Sequence, residues 1–171
     1  MRKSSQQITA LLKNKGYYNA KTTDSVAFKE KTASVKYKVM AGEPYRIRNY
    51  TDSIEDPEVG KLLKSYFENK SQVKEGKRVD VDYFGTEREE INEIMLENGY
   101  YRFAKEYIFF QVDTFVGNNQ ADVKILIKSP VATDEYGQKK TIPHKKYYFS
   151  DLTIYPDHEP KSIIKKSRRK R

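Results

Sequence analysis

The chain has 171 residues, with 33 Lys and Arg against 24 Asp and Glu, a formal charge of +9. It has no Cys, which excludes disulfides and thiolate metal sites, and no apolar run approaches the roughly 20 residues of a membrane helix. Hydrophobic content of 37% with 14 tyrosines argues for a folded, half-wet β-containing protein rather than disorder.

The charge is unevenly placed. Lys161 to Arg171 carries seven basic residues and no acid, and the remainder is close to neutral, with 26 basic and 24 acidic residues. The first residues, Met-Arg-Lys-Ser-Ser, resemble the start of a signal peptide, but Gln6-Gln7 and Lys13 interrupt any apolar core. The expectation is a cytosolic protein or a piece of a longer chain.

Residues 3–20 read as a helix, with Ser4 and Gln7 as a capping box, Ile8, Leu11 and Leu12 as its apolar stripe, and Gly16 at its C-terminal cap. Val26 and Phe28, a turn at Glu30-Lys31-Thr32, and then Val35, Tyr37 and Val39 alternating with lysines predict a hairpin. Gly42-Glu43-Pro44 breaks the chain. Tyr45, Ile47 and Tyr50 give a short strand. Asp56-Pro57 opens a helix, with the aspartate as N-cap and the proline at the first position. Its core stripe is Val59, Leu62, Leu63, Tyr66 and Phe67.

Ser71 to Phe84 reads as a loop. Thr86 and Glu89 form a capping box for a further helix, with Ile91, Ile94 and Met95 as its stripe and Asn98-Gly99 as its end. Glu89-Glu90 is then expected in the first helical turn, where acids favour the helix dipole. Tyr107 to Val116 is a strand, Gly117-Asn118-Asn119 a turn, and Val123, Ile125 and Ile127 mark the returning strand. Asp134 to Pro143 is a polar connection turning at Tyr136-Gly137, and Tyr147, Phe149 and Leu152 give another short strand.

An internal repeat runs through these elements. Ile8, Leu11, Leu12, Gly16, Tyr17 and Tyr18 match Ile91, Ile94, Met95, Gly99, Tyr100 and Tyr101, and Tyr45, Ile47 and Tyr50 match Tyr147, Phe149 and Leu152. In each Tyr-Tyr pair, one ring is expected under the helix and the other at the rim. The chain reads as an α+β protein of tandem β-α-α-β-β modules. Residues 1–44 form a partial module (second helix and hairpin), 45–131 a complete one, and 132–171 a connection, the first strand of a following module and the basic tail.

Catalytic signatures are absent: no Walker loop, no Gly-x-Ser-x-Gly and no dinucleotide fingerprint occurs. The two histidines, His144 and His158, stand apart in proline-bounded stretches, so no metal site or cofactor is expected.

The order β-α-α-β-β, with Val73-Lys74-Glu75-Gly76 before the second helix, Glu87 to Leu96, the Asn98-Gly99-Tyr100-Tyr101 corner and the Pro44-Tyr45-Arg46-Ile47 opening, resembles the polypeptide-transport-associated (POTRA) domain. The resemblance implies a small three-stranded mixed sheet covered on one face by two helices. It also implies the periplasmic part of an outer-membrane protein assembly or translocation factor, with a C-terminal barrel and a signal peptide outside this sequence. Its partners would be unfolded outer-membrane protein precursors and accessory lipoproteins, bound by strand addition to a sheet edge, with no nucleic acid.

That edge would be the first strand of the hairpin, with Tyr107, Phe109, Gln111 and Asp113 as peptide-binding residues, and Val26 to Lys29 in the partial module. Phe109 and Gln111 are expected to donate outward, while Ile108, Phe110 and Val112 face the core. Asp113 and nearby lysines equally suit an edge protected against pairing. Two other readings remain open from the residues: a nucleic-acid-binding protein acting through its tail, and a structural spacer.

Overall fold

The computed structural model describes residues 2–154; the basic tail and His158 lie outside the described residues. The elements run α1 (Arg2–Asn14), β1 (Lys21–Lys29), β2 (Thr32–Met40), β3 (Arg46–Ile54), α2 (Pro57–Asn69), α3 (Val81–Glu97), a 3-10 turn (Lys105–Tyr107), β4 (Ile108–Asp113), β5 (Gln120–Ile127), β6 (Val131–Thr133) and β7 (Lys139–Thr141).

From Arg46 to Ile127 the order is β-α-α-β-β. The sheet is mixed, with strand order β3-β5-β4: β3 is parallel to β5, and β4 antiparallel to it. This is the architecture implied by the resemblance. Alternation on β5 puts Ala121, Val123, Ile125 and Ile127 into the core. They meet Val59, Leu63 and Tyr66 of α2 and Ile91 and Met95 of α3 in one cluster, and Val73, Val79 and Phe84 in a second. The Val, Leu, Ile, Met and Phe side chains among them each contribute about 1.5–3 kcal/mol by leaving water.

Asp56 caps α2 as the Asp-Pro pair predicts, its Oδ1 accepting the Glu58 amide at 3.0 Å. The start of α3 differs from expectation. The helix begins at Val81 with Asp80 as N-cap, accepting the Asp82 amide at 3.1 Å, and Thr86 sits one turn inside, bonded to the Asp82 carbonyl. Asp80 prevails because its buried carboxylate also takes Arg78 at 2.9 Å and Lys15 at 3.2 Å. Val81 to Phe84 are thus helical rather than loop. Glu89 and Glu90 lie beyond the second turn, where Glu89 pairs with Lys105 and Glu90 accepts the Tyr66 hydroxyl at 2.7 Å.

The N-terminal block is less covered. Helix α1 starts at Arg2, so Ser4 is inside it and caps nothing, and the helix ends at Asn14 rather than near residue 20. Leu11 of its expected stripe is 60% exposed. Strands β1 and β2 pair over their full length, with Val26 opposite Val35 and Phe28 opposite Ala33. No third strand joins them among the described residues, and Phe28 is 78% exposed.

The two helix-end corners are alike. The Gly16 amide reaches Lys13 and the Tyr17 amide Leu12, while the Gly99 amide reaches Leu96 and the Tyr100 amide Met95. Both are Schellman caps closed by a glycine with positive φ, +85° and +87°. Tyr100 is buried and Tyr101 exposed, as expected of the pair.

The connection after β5 carries the small β6–β7 hairpin, turning at Tyr136-Gly137. Tyr147 to Leu152 is not a strand: among the described residues no strand pairs with it, and it runs as irregular chain with Phe149 almost fully exposed.

Candidate peptide-binding edge

Strands β3 and β4 form the two edges of the three-stranded sheet. The first half of β3 is covered: the Ile47 amide donates to the Lys77 carbonyl and the Ile47 carbonyl accepts the Gly76 amide, while Val79 donates to Tyr45. No strand pairs with the outer side of β4 among the described residues.

The direction of the β4 backbone groups follows from the ladder. In an antiparallel pair, alternate residues turn both N–H and C=O toward the partner, and those between turn both away. Tyr107 opposes Lys128 in the β4–β5 register, and its carbonyl accepts the Lys128 amide at 2.9 Å. Phe109, Gln111 and Asp113 therefore bond inward to β5. Ile108, Phe110 and Val112 turn their amides and carbonyls outward. The Ile108 carbonyl accepts Arg88 Nε at 3.1 Å, which agrees with that parity.

The residues expected to donate outward, Phe109 and Gln111, thus spend their amides on the sheet. Their side chains, with that of Asp113, lie exposed on the sheet face opposite the helices. Lys128 Nζ stands 4.8 Å from the Phe109 ring centre. A shallow cleft on this face is lined by Asn49, Thr51, Gln111, Asp113, Asp122 and Lys124. Arg48 clamps Asp122 there with two bonds, 2.9 and 2.5 Å, and holds its carboxyl below the usual range. Tyr107 is not on the strand. It ends the 3-10 turn, and its ring packs on Phe103 and edge-on to His144, 4.9 Å between centres. Val26 to Lys29 occupy the turn end of β1, opposite Thr32 to Val35.

On the helix side, Phe110 stacks on Phe84 with ring centres 4.6 Å apart, and the Arg88 guanidinium lies 5.2 Å from the Phe110 centre. Behind it, Glu87 is fully buried. One carboxylate oxygen accepts the Gln72 amide at 3.3 Å, and the other has no partner. Burial pushes the Glu87 carboxyl up, and the Gln72 amide only partly offsets it. The Tyr50 and Tyr66 hydroxyls are raised as well, chiefly by burial.

Sequence reasoning missed His144. Its amide donates to Asp56 Oδ2 at 2.9 Å, and Nε2 lies 3.0 Å from the Lys128 carbonyl. It ties the connecting segment back to α2 and β5. The Asp-Pro capping signal gave one oxygen of Asp56 a role but said nothing of the other. No group of three or more His, Asp or Glu side chains among the described residues could hold a metal ion, and no described helix is long and apolar enough to cross a membrane.

No protein-family model matches the chain, and no curated protein matches it. Two solved structures are similar. A BamA from Haemophilus ducreyi lacking POTRA domains 1–3 shares 20% identity over 74% of this chain and 22% of its own, with a TM-score of 0.45. The POTRA3–5 segment of Haemophilus influenzae BamA shares 19% over 73% of this chain and 46% of its own, with a TM-score of 0.37. The chain spans under half the length of either. From Arg46 to Ile127 the chain has the element order, the mixed three-stranded sheet and the two helices on one face that the resemblance to POTRA domains implies.

Proposed function

We propose that this chain is part of an outer-membrane protein assembly factor, on the periplasmic side. In this reading its central module binds extended polypeptide by taking it as an additional strand along β4. The observation that carries the reading is the asymmetry of the two edges. The start of β3 is sealed by residues 76–79, whereas Phe110 and Val112 turn free amides and carbonyls outward. Backbone pairing asks little of the guest's sequence, which suits unfolded barrel precursors; accessory lipoproteins are the second class of guest. The sequence resemblance supplies the family setting, including a barrel beyond this chain.

Residues 1–44 and 132–171 are read as parts of neighbouring modules. The support is a repeated joint: the Tyr45 amide donates to the Gly16 carbonyl at 2.8 Å, and the Tyr147 amide to the Gly99 carbonyl at 2.7 Å.

Val112→Pro tests the edge. It deletes an outward amide and leaves the inward ladder intact, whereas Gln111→Pro removes a bond to β5. With a photo-crosslinker at Phe109, Val112→Pro abolishes crosslinking to an unfolded outer-membrane precursor while the melting curve stays close to that of the parent chain. Undiminished crosslinking in Val112→Pro rules out strand addition at β4.

A further inference from the structure

Arg88 lies on the helix side of the open edge, beside Phe110. Its Nε is bound to the outward carbonyl of Ile108 and its plane covers Phe110. Its terminal nitrogens make no hydrogen bond or ion pair among the described residues. The neighbouring acids are engaged elsewhere: Glu89 with Lys105, Glu90 with Tyr66, and Glu87 in the core. Such a half-buried guanidinium carries donors in a planar fork suited to a carboxylate.

We infer that Arg88 selects guests carrying an acidic side chain at the position that pairs with Ile108 or Phe110. This rests on strand addition at β4 and names what the edge prefers. A guest residue opposite Phe110 places its side chain on the same face as Phe110, beside the guanidinium. An apolar side chain there strips water from the terminal nitrogens and returns no acceptor. A basic one is repelled. Aspartate or glutamate supplies a charge-assisted pair in a site that the guest backbone shields. The Ile108 carbonyl has a second lone pair, so a guest amide binds it without displacing Arg88. Apolar content brings a strand to this edge, and the acid sets its register.

The probes are fluorescein-labelled peptides of about nine residues, a usual strand length. They alternate Val and Thr and differ only in a central Asp, Asn or Lys on the Val face. Fluorescence polarisation on the unaltered chain gives the order Asp, Asn, Lys, with Asp about fivefold tighter than Asn, the size of one half-exposed ion pair. Added salt narrows the gap. Arg88→Gln brings the Asp and Asn peptides to equal affinity. The peptide order on the unaltered chain needs no variant to fold. Equal binding of Asp and Asn peptides there overturns the inference and leaves strand addition standing. Failure of all three peptides to bind overturns both.

Discussion

The Tyr147 amide donates to the Gly99 carbonyl at 2.7 Å. Gly99 closes α3, and a Cβ built on it would stand 2.8 Å from the Tyr147 carbonyl oxygen, closer than side chains pack. At Gly16, the matching corner, an added Cβ runs into the Val79 carbonyl. Each glycine therefore serves two needs, the left-handed cap and the close approach of the next chain segment. Gly99→Ala is expected to cost about 1–3 kcal/mol, read as a lower urea midpoint. Gly137→Ala makes a useful control, because its φ is also positive but no atom stands near. Equal losses at the two sites would leave strain alone as the cause.

Asp80 joins the N-terminal block to the start of α3 through Lys15 and is held from its own segment by Arg78. Burial alone would raise its carboxyl, but bonds from Arg78, the Asp82 amide and Lys15 outweigh that and hold it below its ordinary value of 3.8. A lowered carboxyl stabilises the fold above the unfolded pKa, and the benefit fades as pH falls through the folded one. Asp80→Asn keeps a capping oxygen and loses the charge. The expected cost is about 1 kcal/mol at neutral pH, shrinking once the medium is more acidic than the unfolded carboxyl. Thermal melts across acid and neutral pH check it, and a gap independent of pH would count against the ion cluster.

Glu87 predicts the opposite slope. Its carboxyl is raised above 4.5 by burial. The folded state therefore favours the protonated form, with stability fully present below the unfolded pKa and lost as pH rises through the folded one. Glu87→Gln retains an acceptor for the Gln72 amide and removes the buried charge. It should melt about 4 °C higher than the parent in mildly alkaline buffer and no higher in acid. A variant less stable than the parent in alkaline buffer would mean that the ionised acid is needed in place.

His144 and Asp56 hold the segment after β5. Asp56→Ala removes both the α2 cap and the acceptor of the His144 amide, at an expected cost of about 2 kcal/mol. His144→Ala takes the ring from between Phe103 and Tyr107 and leaves the cap. Hydrogen exchange separates the two. Both variants speed exchange at Ile142 and His144, and only Asp56→Ala speeds it in the first turn of α2. Protection unchanged in His144→Ala would show that the ring does not hold the segment.

The central module was legible wherever one period dominated. The α2 stripe and the β5 alternation each had a single face to bury, and Ile91 and Met95 of α3 are fully covered. Asp-Pro fixed the start of α2. The start of α3 was misplaced because Thr86 and Glu89 satisfied a local pattern, while Asp80 drew its advantage from Lys15, 65 residues away. The edge was half legible. Alternation separates Phe109 and Gln111 from Phe110 and Val112, but which set turns its amides outward depends on the β4–β5 register. That register is tertiary. Arg88 looked like any helical arginine until β4 was placed beside it. The α1 stripe and the hairpin after it gave a clear pattern with little to bury against, so their apolar residues stay wet.

The lopsided sheet also limits what this protein can do to itself. Two copies meeting along β4 in antiparallel fashion would satisfy each other's outward groups at Phe110 and Val112. The outermost strands of that six-stranded ribbon would then be the two copies of β3, already bonded over Tyr45 to Ile47 by their own chains. Growth beyond that dimer would have to begin on the far half of β3, toward Ile54, and not at its sealed start.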